Sequence, residues 1–188
     1  MSADDDADRL TGRSLTREPV EGPPPPARSL AGPAAIVALL VLLDQIIKQV
    51  VERALDLGVP VPVWGPLYWL HARNEGIAFS WLGGVGPWAL VALSSVVLAL
   101  MLFLYARTPR AHRLARVGFV LVISGAIGNL IDRATLGYVT DYVFLSGGGW
   151  SFAVFNLADE LITVGAAAVL ADELLGWGRA RTARARGA

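Results

Sequence analysis

SGAIGNLIDRATLGYVTDYVFLSGGGWSFAVFNLAD, residues 124–159, sets aspartates, asparagines and an arginine among side chains otherwise fit for hydrocarbon. A charge at the centre of a bilayer costs roughly 3 kcal/mol or more, so acids in such surroundings point first to function. What lies on either side decides whether the surroundings are a membrane.

They read as one. Of 188 residues 54% are hydrophobic, mean hydropathy is +0.52, and the apolar residues come in long blocks, as in a polytopic membrane protein. Upstream of the stretch, residues 87–105 (PWALVALSSVVLALMLFLY) carry no charge and match the ~20 residues that cross ~30 Å of hydrocarbon. Residues 114–131 form the next span, in which Gly118, Ser124, Gly125, Ala126 and Gly128 allow close helix approach. Residues 33–51 form the first span, opened by Pro33 and interrupted by Asp44 and Lys48, which share one helix face four residues apart. Mutual neutralisation near the membrane edge accounts for that pair without chemistry. A fourth span runs over residues 154–175, with Asn156, Asp159 and Glu160 at its start.

Between the first two spans, VPVPVW and PLYWLHARN, punctuated by Gly58, Pro60, Pro62, Gly65 and Pro66, predict short strands and turns. Trp64, Tyr68, Trp69, Trp81 and Trp88 gather here, as aromatics do at a headgroup interface. The expected fold class is an all-α membrane protein: four transmembrane helices with a small β-rich cradle on the outer face. Residues 1–32, rich in Asp, Arg and Pro, are expected as a disordered tail, residues 33–176 as the membrane domain with outward loops 52–86 and 132–153, and residues 177–188 as a basic tail. The basic residues fall in the two tails and in the loop holding Arg107, Arg110, Arg113 and Arg116; only Lys48, Arg53, Arg73 and Arg133 lie elsewhere. The positive-inside rule then puts both termini in the cytoplasm and the acidic stretch near the outer surface.

Composition excludes several chemistries. There is no cysteine, and His71 and His112 are the only histidines, so no thiolate, HExxH or clustered metal site is expected and no cofactor is called for. Neither a Walker A nor a GxGxxG motif is present, and no nucleic-acid partner is expected. Ser124-Gly125 has no histidine in a span to serve as its base.

Asp141 and Asp159 remain. If the third and fourth spans are neighbours, the loop between them brings the two acids to one depth, with Asn156 one turn from Asp159. Two carboxylates close together in a low-dielectric site share a proton, and such a pair activates water and protonates a leaving amine. Asn129, Asp132 and Arg133 cluster at the end of the third span, where the Asp-Arg pair also suits a plain interfacial cap. A loop acid such as Asp141 would, taken alone, be a solvated one. Two other classes fit the composition: a small proton- or cation-coupled transporter subunit using Asp44, Lys48, Asp132 and Asp159, and a noncatalytic lipid-binding scaffold. The gathering of acids at one end favours hydrolysis over a relay spread through the membrane.

Four segments in order, Asp44-Gln45-Ile46-Ile47-Lys48, Asn74 to Ser80 (NEGIAFS), Gly125 to Asp141 and Phe155 to Asp159 (FNLAD), resemble the signal peptidase II family of intramembrane aspartic peptidases. Ile47 differs from the family's usual Thr or Ser, and Ser124 from a common second glycine. The resemblance implies Asp141 and Asp159 as a catalytic dyad, with Asn74, Asn129, Arg133, Asn156, Asp44 and Lys48 as substrate-binding or supporting residues. It implies a prolipoprotein substrate whose cysteine already bears diacylglyceryl, cleaved just before that cysteine. It also implies contact with membrane lipids and residence in the bacterial inner membrane, and a monomer is expected.

Overall fold

The computed structural model describes residues 30–76 and 87–186, with residues 87 and 178–186 described by their backbone alone. Four helices, α1 (Ala31–Ala54), α2 (Pro87–Arg107), α3 (Arg113–Thr135) and α4 (Leu157–Arg186), carry four strands, β1 (Pro60–Trp64), β2 (Leu67–Asn74), β3 (Val139–Gly147) and β4 (Trp150–Ser151). Three of the helices, α1, α2 and α3, are long and apolar enough to cross a membrane. Their outer faces are greasy: Leu39, Leu42, Leu43, Ile46 and Val50 on α1 and Val96, Leu100 and Phe103 on α2 are exposed. In water so much contiguous apolar surface would be a liability, whereas in a bilayer it is simply the lipid contact. The helix α4 is long but holds Asp159, Glu160, Asp172 and Glu173, and it runs helically through the segment expected as a tail, to Arg186.

The bundle is organised on α3, which touches each of the other helices. Its Phe119, Val120 and Ile123 form the core with Tyr105 of α2 and Ala115, and Leu98, Met101 and Leu104 pack against them. Toward α4 the approach is backbone to backbone. A Cβ on Gly118 would stand 2.5 Å from the Gly165 carbonyl oxygen, and one on Gly165 would stand 2.6 Å from that of Gly118. Only glycine at both positions permits this crossing, and nearer the start of α4 a Cβ on Gly125 would overlap the Ala158 carbonyl, so α4 lies directly against α3.

The strands form one antiparallel sheet in the order β1-β2-β3-β4. The expected strands of the first loop are β1 and β2. The sheet is larger than expected, however, because residues 139–147, read as part of a loop, form its third strand. Nothing local marks them apart from VTDYVFL itself, whose β-branched and aromatic residues suit a strand; what makes them one is pairing with β2, Ala72 opposite Asp141 and Asn74 opposite Val139. The hairpin to β4 turns through Gly148 and Gly149, both with positive φ (58° and 84°), the I′ geometry that matches strand twist. Asp132 and Arg133, also assigned to the outward loop, lie within α3, which continues to Thr135. The motif residues Ile77–Ser80, Trp81, residues 1–29 of the first tail and residues 187–188 lie outside the described residues.

Candidate active site

Beyond β4 the chain returns along β3: the Phe155 carbonyl accepts from the N–H groups of Tyr142 (3.0 Å) and Val143 (2.8 Å), and the Phe155 N–H donates to Val143 (3.0 Å). That short ladder fixes the residue after it, Asn156, beside Asp141. Asn156 is the N-cap of α4. Its Oδ1 accepts from the Asp159 N–H (3.1 Å), while Asp159 Oδ2 accepts from the Asn156 N–H (3.2 Å), a reciprocal capping box. The two remaining N–H groups of the first turn also find side chains: Leu157 donates to the Tyr142 hydroxyl (3.0 Å) and Ala158 to Asp44 Oδ1 (3.1 Å). The helix start is thus held by β3 through Tyr142 and by α1 through Asp44.

The same asparagine joins the two acids. Asn156, fully buried, donates from Nδ2 to Asp141 Oδ1 (2.6 Å) and to Asn129 Oδ1 (3.3 Å). Asn129 Nδ2 donates to Asp159 Oδ1 (2.8 Å). Asn74 completes the set from β2, its Nδ2 donating to Asp141 Oδ2 (3.1 Å); it sits opposite Val139, so Asp141 is its diagonal neighbour on the same face. Every oxygen of Asp141 and Asp159 therefore accepts a hydrogen bond. Asp141 is 2% exposed, and burial together with the neighbouring Asp159 pushes its carboxyl up from 3.8 to about 6 against the opposing pull of Asn156, Asn74 and Lys48. Asp141 is therefore no solvated loop acid. Burial, helped by the surrounding aspartates, also pushes the Tyr142 phenol up to about 12, so it stays neutral.

Behind the acids lies a second charged cluster. Lys48 Nζ stands 2.9 Å from Asp44 Oδ2, 2.9 Å from Asp132 Oδ2 and 3.0 Å from Asn129 Oδ1. All four side chains are buried. Asp44 and Lys48 do neutralise each other, and they do so in the protein interior, at a junction of α1, α3 and α4. Gln45 Nε2 adds a bond to Asp132 Oδ1 (2.8 Å), and Asp132 Oδ2 accepts from the Thr140 N–H (3.3 Å), tying α3 to β3. Thr140 donates to Glu52 Oε1 (2.7 Å). A cavity of about 280 Å³ lies on this side, lined by Lys48, Glu52, Arg53, Asp132 and Thr140 among others. Neither Asp141 nor Asp159 borders it.

Seven of the eight residues singled out from sequence are brought into this network. Arg133 is the partial exception: its Nη1 reaches the Asn129 carbonyl (3.5 Å), its buried Nε has no partner, and among the described residues no carboxylate lies within ion-pair distance of it. Gln45, Tyr142, Thr140, Glu52 and the interior role of Asp132 were not foreseen. Gln45 and Tyr142 flank Asp44 and Asp141 in sequence, which is the only signal they offered. Among the described residues no group of His, Asp and Glu is arranged to hold a metal ion.

Comparison with known proteins converges on the same region. A family described as "Signal peptidase (SPase) II" matches residues 36–175. A protein of Mesorhizobium japonicum named lipoprotein signal peptidase is 46% identical over 152 residues, covering 81% of this chain and 90% of its own. One of the same name from Brucella ovis is 47% identical over 146 residues, covering 78% and 91%. Two solved structures, both titled as a bacterial membrane enzyme, superpose with TM-scores of 0.68 and 0.69 at 24% identity; they cover 78% of this chain and 89% and 94% of theirs, and speak to the fold. With the family matched from the first helix to the fourth, the chain is a bacterial membrane peptidase belonging to the signal peptidase II family.

Proposed function

We propose that this protein is an intramembrane aspartyl endopeptidase that removes the signal peptide from prolipoproteins by hydrolysis before the diacylglyceryl-modified cysteine. The observation that carries the reading is the convergence of Asp141 and Asp159 on Asn156, which bonds the first through its amide and the second through its backbone N–H. Two carboxylates so held titrate as a pair, losing their protons in two steps, and the reaction starts from the singly protonated pair.

In the reaction the ionised carboxylate takes a proton from water as the oxygen attacks the carbonyl carbon before the cysteine, and the protonated partner donates to the carbonyl oxygen. Collapse of the gem-diol breaks the C–N bond, the amine leaves with a proton from the dyad, and no covalent intermediate forms. Asn74, exposed at the edge of the site, is the candidate contact to the substrate backbone. Asn129, Asn156, Asp44 and Lys48 support the pair, and Arg133 braces the end of α3.

In this reading α4 is the fourth span. Both termini lie in the cytoplasm, a reading supported by the distribution of arginines, and the sheet and dyad lie at the outer surface. The lipid on the substrate enters between helices from the outer leaflet. The enzyme works as a monomer among membrane lipids and requires no cofactor. Asp141→Asn and Asp159→Asn, assayed singly on a lipidated precursor in detergent, should each abolish processing. Near-normal cleavage by either would sink the dyad.

A further inference from the structure

The buried amides between Lys48 and the dyad have only one self-consistent orientation. The ammonium of Lys48 donates and never accepts, so the atom of Asn129 that faces it at 3.0 Å is Oδ1. The Asn129 Nδ2 must then point the other way, to Asp159 Oδ1 at 2.8 Å. Asn156 reinforces the direction: its Oδ1 is committed to the Asp159 N–H, so its Nδ2 faces Asn129 Oδ1 and Asp141. From this geometry we propose that Lys48 is a positioning residue that fixes the donor direction of Asn129, and so favours the charged form of Asp159 within the pair. This role rests on the dyad reading above and goes beyond it, since that reading does not by itself say what holds the Asn129 amide toward Asp159.

The reason is electrostatic. A carboxylate that accepts two N–H bonds, here from Asn129 and from the Asn156 backbone, is favoured in its charged form. Turn Asn129 over and its carbonyl oxygen would face Asp159 Oδ1, which is tolerable only if the carboxyl is protonated. Lys48 is what forbids the turn. It is itself held against Asp44 and Asp132, so it cannot swing away. Other charged or titratable groups near the pair are Glu52 on α1, Arg133 on α3, Glu160 on α4 and Asp141 and Tyr142 on β3, all left in place by the variants below.

The test is the acidic limb of the pH profile of kcat/KM for cleavage of a lipidated precursor peptide in detergent. Lys48→Met removes the donor and should move that limb upward by about one pH unit, the worth of a hydrogen bond to a charged group. Lys48→Arg keeps a donor-only cation and should leave the limb near its wild-type position. Asn129→Leu keeps the Lys48 charge but removes the relay, and should shift the limb as Lys48→Met does. A Lys48→Met enzyme that is slower at every pH with an unmoved limb would make Lys48 merely structural. A shift in Lys48→Met without one in Asn129→Leu would mean that the charge acts directly through space and would overturn the amide relay. If Lys48→Met does not fold, Lys48→Gln, which lacks the charge and can accept as well as donate, takes its place, an unmoved limb refuting the proposal. Failure of the dyad itself shows separately, as retained activity in Asp141→Asn or Asp159→Asn.

Discussion

Replacing Asp141 by asparagine should abolish activity and at the same time make the protein more stable near neutral pH. The carboxyl is raised from 3.8 to about 6, so the folded state holds its proton more tightly than the unfolded chain does. Below the unfolded value both states are protonated and the residue is neutral toward stability. Between 3.8 and about 6 the unfolded chain ionises first, and stability falls as pH rises; above about 6 the loss is complete. Two pH units amount to roughly 3 kcal/mol. Asparagine escapes that cost but has one acceptor oxygen where aspartate has two, so it can satisfy Asn156 Nδ2 or Asn74 Nδ2 and not both. Asn74 is exposed and can turn to water, so the mismatch costs about 1 kcal/mol.

The net expectation is a gain of about 2 kcal/mol, or roughly 4–8 °C in apparent Tm for a chain of this size. The assay is thermal unfolding of the purified protein in detergent, wild type against Asp141→Asn, near pH 7.5 and near pH 4. The gain should be present at the higher pH and vanish at the lower. A variant equally or less stable at both would refute the view that Asp141 is held against its preference by burial and by Asp159. Processing should fall at least ~10²-fold, the lower end of what general acid catalysis contributes.

Gly118→Ala should lower stability by about 1–3 kcal/mol, because the added methyl overlaps the Gly165 carbonyl and Val169 where α3 and α4 cross. Gly176→Ala, on the same α4 but with nothing within 4 Å of the new methyl, should be neutral or gain up to about 1 kcal/mol; the pair is checked by Tm in detergent. Tyr142→Phe removes the hydroxyl that accepts the Leu157 N–H and should cost about 1 kcal/mol while leaving more than about a tenth of the activity. Complete loss of processing in a folded Tyr142→Phe would instead place the phenol in the chemistry.

The site shows why two acids near a membrane need so much polar scaffolding. Asp141 and Asp159 accept from three asparagine side chains and one backbone N–H, and Lys48 is answered by Asp44 and Asp132. In a low-dielectric interior an unmatched member of this set would cost several kcal/mol, so each polar group comes with its partner. Asp44 serves twice, pairing with Lys48 and capping the start of α4.

What could be read from the chain alone were properties set by local composition. The apolar length of residues 33–51, 87–105 and 114–131 makes helices there, and the strand chemistry of residues 60–74 makes β1 and β2. The order of DQIIK, NEGIAFS, GAIGNLIDR running on to GYVTD, and FNLAD points to the family and to its acids. Other features waited for the tertiary structure. Residues 139–147 become a strand because β2 lies alongside them. Asn156 becomes a bridge because Phe155 pairs with Val143. Lys48 reaches Asp132 and Asn129, more than eighty residues away, rather than answering Asp44 alone. The physical reason is that a buried polar group is defined by its partner, and in this chain the partners come from α1, β2, β3, α3 and α4. Spacing along a sequence tells which residues share a face, whereas only packing tells what that face meets.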